Sequence, residues 1–276
     1  MLEMVQLASG AKWGFLADDG QAVSGFCMMM IMLILTYYVI TRARAGFPIP
    51  HIRKIAGLEA LDEAIGRATE MGQPVHISSF RSTVDQQESW AFWVYLAHTA
   101  KLCAQYDTRI INCVSDEISL AIHEEIIQTG YLEAGRPDAY NPDDVRYMSN
   151  QQFAWVAGVI GMLERERPAA QLLIGRFFAE SLVLAEQGNL IGAIQIAAND
   201  SAFQLPFFVA TCDYVLIGEE LYVGAAYISR DPVMTGTVVA EDMVKMALFG
   251  VMIVGTLLET FKAEGADNIL RTWFNY

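Results

Sequence analysis

A stretch without a single charge, residues 20–41, constrains this chain more than any other feature. Its centre, residues 26–40, reads FCMMMIMLILTYYVI. About 20 apolar residues carry a helix across a bilayer core, so residues 24–41 are expected to form a transmembrane helix. No basic segment precedes the run and no small-x-small site follows it, which argues for an uncleaved anchor rather than a leader peptide. The flanks set an orientation. Glu3, Lys12, Asp18 and Asp19 stand before the run; Arg42, Arg44, Arg53 and Lys54, with His51, stand after it. Short basic flanks stay cytoplasmic, which places residues 1–23 outside the cell membrane and the main domain in the cytoplasm. The same four cations face membrane lipid, where anionic headgroups would meet them.

A second apolar stretch, residues 243–261 (MVKMALFGVMIVGTLLETF), has Lys245 and Glu259 near its ends. A long lysine can snorkel to the interface, so residues 237–262 are a candidate second span. The alternative is an amphipathic helix closing the preceding domain. The expected division is then a basic linker and amphipathic helix at 42–72, an α/β domain at 73–236, this apolar helix, and a tail at 263–276.

Between the two apolar stretches, helical and strand patterns alternate. Leu58, Leu61, Ala64, Ile65 and Ala68 recur at helical spacing up to Gly72, a left-handed cap. Strands are expected at 74–78 (PVHIS), 108–114, 170–174, 191–197 and 213–217, with helices at 85–105, 117–129, 150–167 and 219–229, and one after the third strand running through Gln187 to the punctuation Gly188-Asn189. Asp85 and Glu88 have capping-box spacing, and Gly130 reads as a helix stop. Residues 133–146 hold two prolines and several aspartates and read as a surface loop. Strands joined by helices imply parallel pairing with right-handed crossovers. The expected fold is α/β: a doubly wound, mainly parallel, Rossmann-like sheet of about five strands.

In such sheets ligands bind at the carboxyl ends of the strands, near the point where strand order reverses. Those ends place Ser78, Ser79 and Arg81 after the first strand, Asp116 after the second, and Asn199 with Asp200 after the fourth. These six are the candidate ligand-binding residues. Each also has a purely structural use, since Ser, Asn and Asp cap helices. The first strand–helix turn, Ser78-Ser79-Phe80-Arg81-Ser82-Thr83, has no glycine to let a backbone approach pyrophosphate, so no nucleotide cofactor is expected. His123-Glu124-Glu125 lacks a second histidine at helical spacing, and it reads as a solvated helix face rather than a metal motif. No G-x-S-x-G elbow supports a nucleophilic set from His76, Ser78 and Asp116, and no catalytic residue is assigned.

The 18 basic and 32 acidic residues leave a net charge of −14, which excludes a nucleic-acid partner held by phosphate neutralisation. Cys27, Cys103, Cys113 and Cys212 form no C-x-x-C pair and read as reduced thiols. The stretches SWAFWVYLA and FAWVAGVIGML carry apolar residues on more than one helix face. Helices flanking a sheet normally turn a polar face outward, so these imply a further layer or another subunit. The expectation is a membrane-anchored scaffold forming a homo-oligomer. The alternatives are a tethered ligand-binding domain or enzyme, and an accessory subunit of a larger membrane complex.

The segment PHIRKIAGLEALDEAIGRATEMGQPVH, residues 50–76, directly behind the apolar run, resembles an uncharacterised family of prokaryotic membrane proteins. The resemblance lies in Arg53-Lys54-Ile55, Gly57-Leu58 and the run AIGRATEMG from Ala64. It implies one N-terminal transmembrane helix, a cytoplasmic α/β domain and a prokaryotic source. It transfers no activity and no site.

Overall fold

The structure is a computed structural model that describes residues 21–45 and 55–260. Arg53, Lys54 and the N-terminal and C-terminal segments lie outside the described residues. The chain divides into two compact units, one holding its first and last helices and the other spanning His51–Arg230.

In the first unit, α1 (Gln21–Arg44) pairs with α9 (Pro232–Thr260). Small residues set their approach. A Cβ on Gly236 would lie 3.2 Å from Ile40 Cα and 3.4 Å from Ala43 Cβ, and Ala43 and Ala240 are buried. Outside that seam both helices turn large apolar side chains outward, including Ile31, Leu33 and Ile34 on α1 and Phe249, Met252 and Val254 on α9. Among the described residues no helix is long and apolar enough to cross a membrane. The side chains of residues 21–25, 27 and 28 in α1, and of 258 and 259 in α9, lie outside that description, so the expected spans fall on it only in part.

The second unit begins with α2 (Ala56–Met71), which ends as expected at left-handed Gly72 (φ 62°). Then follow β1 (Val75–Ser78), α3 (Gln87–Gln105), β2 (Ile110–Val114), α4 (Glu117–Glu133), β3 (Val145–Tyr147), α5 (Gln152–Glu166) and β4 (Ala170–Ile174). The unit closes with α6 (Glu180–Ile191), β5 (Ile194–Asn199), α7 (Leu205–Thr211), β6 (Tyr214–Ile217) and α8 (Glu220–Ser229). All neighbouring strands pair in parallel, in the order β3-β2-β1-β4-β5-β6. β1, β2 and β4 are buried at every position, as strands covered on both faces must be.

The register assigns the faces. Ile111, Cys113, Leu173 and Ala197 share a core with Trp155, Val159 and Met162 of α5, Leu184 and Ala185 of α6, and Phe208 of α7. The alternate residues point to the other layer: Asn112 bonds His123 on α4, and Leu216 lies 2.5 Å from where a Cβ on Gly57 of α2 would stand. Tyr95 of α3 donates to Leu221 O of α8 at 3.1 Å. One face therefore carries α2, α3, α4 and α8, and the other carries α5, α6 and α7. The strand order reverses between β1 and β4, where the connections change face.

The sheet has six strands rather than about five. The addition, β3, emerges inside the segment read as loop; three residues at a sheet edge are too short to show an alternation, and only β2 pairs with them. Gly130 does not stop α4. A Cβ there would lie 2.9 Å from Ala100 Cβ and 3.2 Å from Lys101 N, so the glycine permits close packing of α3 on α4. The capping box is unused: α3 starts at Gln87, and Asp85 instead accepts from Gln86 Nε2 at 2.8 Å. β5 starts three residues late because α6 runs through Gly188 and ends at Gly192 (φ 77°). Cys103 and Cys113 are buried free thiols, Cys212 is half-buried, and burial pushes the Cys113 and Cys212 thiols up to about 12.

Candidate functional site at the switch point

The carboxyl ends of β1 and β4 are packed against each other. Gly175 follows β4 with φ 104°, and a Cβ there would fall 2.5 Å from Ser79 Oγ, so the two loops touch directly. Phe80, which is 2% exposed, covers the same junction, its ring 5.2 Å from that of Trp155 and 6.2 Å from that of Phe178. Arg176 lies over the Phe178 ring at 5.3 Å and donates to the side-chain oxygen of Gln86 at the start of α3. In a dinucleotide site, pyrophosphate approaches the helix that follows the first strand. Here the chain's own arginine reaches that position.

The six candidate residues divide by environment. Ser78 is fully buried, and its hydroxyl meets no partner among the described residues. Arg81 is exposed in a left-handed conformation (φ 53°), and its N–H donates to Ser115 Oγ at 2.9 Å. Asp116 caps α4, accepting from Ser119 N at 2.9 Å. Asn199 is buried and ties two loops together, donating to Gly175 O at 2.9 Å and accepting from Ser201 N at 2.6 Å. Asp200 accepts from Tyr222 Oη at 2.8 Å. Ser79 and Asn199 thus meet at Gly175, at the reversal point, while Arg81 is tied toward β2 through Ser115 and Asp200 to α8 through Tyr222. Asp116 serves its helix.

His123 is not on a solvated face; it is fully buried and joins a relay. Asn112 Nδ2 donates to Ile77 O at 2.8 Å, which leaves Asn112 Oδ1 to accept from His123 Nδ1 at 2.9 Å. That assigns the ring proton to Nδ1 and turns the Nε2 lone pair toward Ser82 Oγ, 3.1 Å away. Ser119 Oγ donates to Ser82 O at 2.6 Å. Burial pushes the His123 pKa down to about 3, so the ring stays neutral. The Ser–His–Asn order is that of a nucleophilic set, but Ser82 is 1% exposed, which keeps its hydroxyl from a substrate. As it stands the relay pins the β1–α3 loop to α4 and β2. The sequence hid it because its three members lie on three elements with no shared motif.

A second buried polar row crosses the opposite face. His76 pairs in register with Gln171, and Gln171 with Gln195. The glutamine amides donate to Leu184 O (3.2 Å) and Ala185 O (2.8 Å) of α6. Gly188 admits them, since a Cβ there would lie 2.3 Å and 2.5 Å from the two side-chain oxygens. Both ring nitrogens of His76 lack a partner among the described residues, and burial lowers its pKa to about 3.

Two surface cavities lie at the other ends of the strands. One of about 240 Å³ is lined by Cys103, Thr108, Arg109, Tyr131 and Asp144, and one of about 310 Å³ by Glu63, Arg67, Asp213 and Tyr214. Arg109 bridges Asp144 (Nε–Oδ1 2.8 Å) and Glu166 (2.8 Å), and Arg146 also holds Glu166 at 2.8 Å. No group of three or more His, Cys, Asp or Glu that could hold a metal occurs among the described residues.

A family model described as a domain of unknown function, DUF6754, matches residues 17–270. The chain belongs to the DUF6754 family. The match runs through α1, the whole α/β unit and α9, so the helix pair is as much a part of the DUF6754 module as the sheet is. No curated protein and no solved structure matches the chain.

Proposed function

We propose that this DUF6754 chain is a membrane-anchored scaffold that assembles into a homo-oligomer through its α/β unit. The observation that carries the reading is the outward apolar surface of both helices in the α1–α9 pair. Monomeric soluble proteins rarely leave contiguous apolar patches above a few hundred Å² in water. The uncharged sequence from 20 to 41 supports insertion of α1, and Arg42 and Arg44 behind it favour a cytoplasmic α/β unit in a prokaryotic cell membrane. Arg42 also lies over the Tyr38 ring at 5.7 Å, an arrangement suited to the headgroup level.

Alkaline extraction of membranes from expressing cells tests the anchor. The chain is expected in the pellet, and release into the supernatant overturns the anchor. Mass measurement in mild detergent tests assembly, and a monodisperse monomer refutes it.

One observation favours a tethered ligand-binding domain or enzyme instead. The strand order is that of dinucleotide-binding folds, with Ser79 and Asn199 at its reversal point. That reading requires the Phe80 loop to move, and it predicts a thermal shift with some member of a metabolite panel.

A further inference from the structure

Resting on the assembly reading, we infer that the outer surface of α5, α6 and α7 is the face through which two copies of this chain associate about a two-fold axis. Phe153 (72% exposed) on α5, Leu182 and Val183 on α6, and Phe207 and Val209 on α7 point outward, with Phe203 (85%) in the turn before α7. α6 packs against both α5 and α7, so these side chains share one layer. Together they offer on the order of 700 Å² of apolar surface, close to the ~800 Å² that one partner contributes to a standard interface.

Charge selects the same face. On α5, α6 and α7 the exposed positions carry Glu164, Arg165 and Glu186, with Glu166 half-buried and held by Arg109 and Arg146. The opposite layer carries Glu59, Asp62, Glu63 and Glu70 on α2 and Glu117, Glu124, Glu125 and Glu133 on α4, against Arg67 on α2 and Lys101 on α3. In a chain of net charge −14, two identical copies repel wherever their acidic layers meet. The less acidic layer is where they can close. Its texture fits a second copy as well. Phe153 and Phe207 stand beside exposed Ala154, Ala157 and Ala210, so one surface offers both projections and the hollows to receive them. A two-fold interface needs this self-complementarity, because the same patch serves on both sides.

The test measures the mass of the full chain in mild detergent, for the native sequence and two variants. Val183→Glu with Val209→Glu is expected to raise the dissociation constant at least 100-fold while leaving the far-UV spectrum unchanged. Ile118→Glu on the opposite layer is expected to leave association unaltered. If the charged pair folds poorly, Val183→Ala with Phe207→Ala decides, with an expected weakening of at least tenfold. An oligomer that survives these substitutions overturns the assignment of the face and leaves the assembly reading standing. A native chain that is already monomeric overturns both.

Discussion

Lowering the pH from 7.5 to 5.5 should cost the α/β unit about 3 kcal/mol, through two buried histidines. His76 and His123 are fully buried, and burial lowers each pKa from 6.5 to about 3. A lowered pKa means the folded chain takes up the proton less readily than the unfolded one. The stability is therefore complete above pH 6.5 and is lost as pH falls from 6.5 toward 3. In that window each histidine costs about 1.4 kcal/mol per pH unit, so two cost about 3 kcal/mol by pH 5.5 and about 5 by pH 4.5. Glu166, whose pKa is lowered chiefly by its hydrogen bond from Arg146, loses its contribution only below the carboxylate range, so the interval 5.5–7.5 reports on histidines; half-buried His98, whose pKa burial also lowers against the pull of Asp62, adds to the slope with the same sign. Urea unfolding of the full chain in mild detergent, followed by tryptophan fluorescence, measures the slope. His76→Leu should remove about 1.4 kcal/mol per pH unit of it. It should also leave stability at pH 7.5 equal or higher, because neither ring nitrogen gives up a partner. His123→Leu should remove a similar amount but cost about 2–4 kcal/mol at pH 7.5, since Asn112 and Ser82 are left unpaired. Stability that is flat between pH 7.5 and 5.5, or a slope unchanged in His76→Leu, refutes the reasoning.

Gly188→Ala should destabilise by about 1–3 kcal/mol in the same assay, because its Cβ would strike both buried glutamine oxygens. Gly175→Ala should cost more than Gly192→Ala: both break a positive φ, but only the former also meets Ser79 Oγ, and the difference in urea midpoint measures the contact. Arg109→Ala should cost about 2 kcal/mol by leaving buried Asp144 without its closest cation, and Arg109→Lys should recover only part, since a single ammonium cannot fork onto Asp144 and Glu166. Ser82 should resist a fluorophosphonate probe in the folded chain; a stoichiometric adduct mapped to Ser82 by mass spectrometry, and lost in His123→Ala, would show that the relay is catalytic.

The sheet was legible where strands are continuous apolar runs. Residues 170–174 were bounded correctly, because AQLLI is set off by Pro168 and Gly175. Glycine misled wherever it serves packing rather than turning. Gly130 and Gly188 both look like stops, yet each sits inside a helix to let a neighbour come close. β3 was hidden by its brevity. The polar network was the least legible part. His123 and Asn112 are eleven positions apart in the chain, and only the crossover from β2 to α4 brings them together. The strand ends at which the candidate residues stand were legible from the strand bounds. That Asn199 bonds the neighbouring loop could not be read from spacing.

The pairing of α1 with α9 has a consequence for how the α/β unit unfolds. The chain leaves the pair at Arg44 and rejoins it at Pro232, and Gly236 meets Ile40 and Ala43 where those ends lie. The whole sheet is thus threaded as one long loop between two clasped stems. A clasp that holds while the loop melts denies the unfolded chain much of its freedom, by up to about 5 kcal/mol for a loop of this length. Cutting the chain at one stem should therefore lower the melting temperature of a sheet whose every internal contact is unchanged.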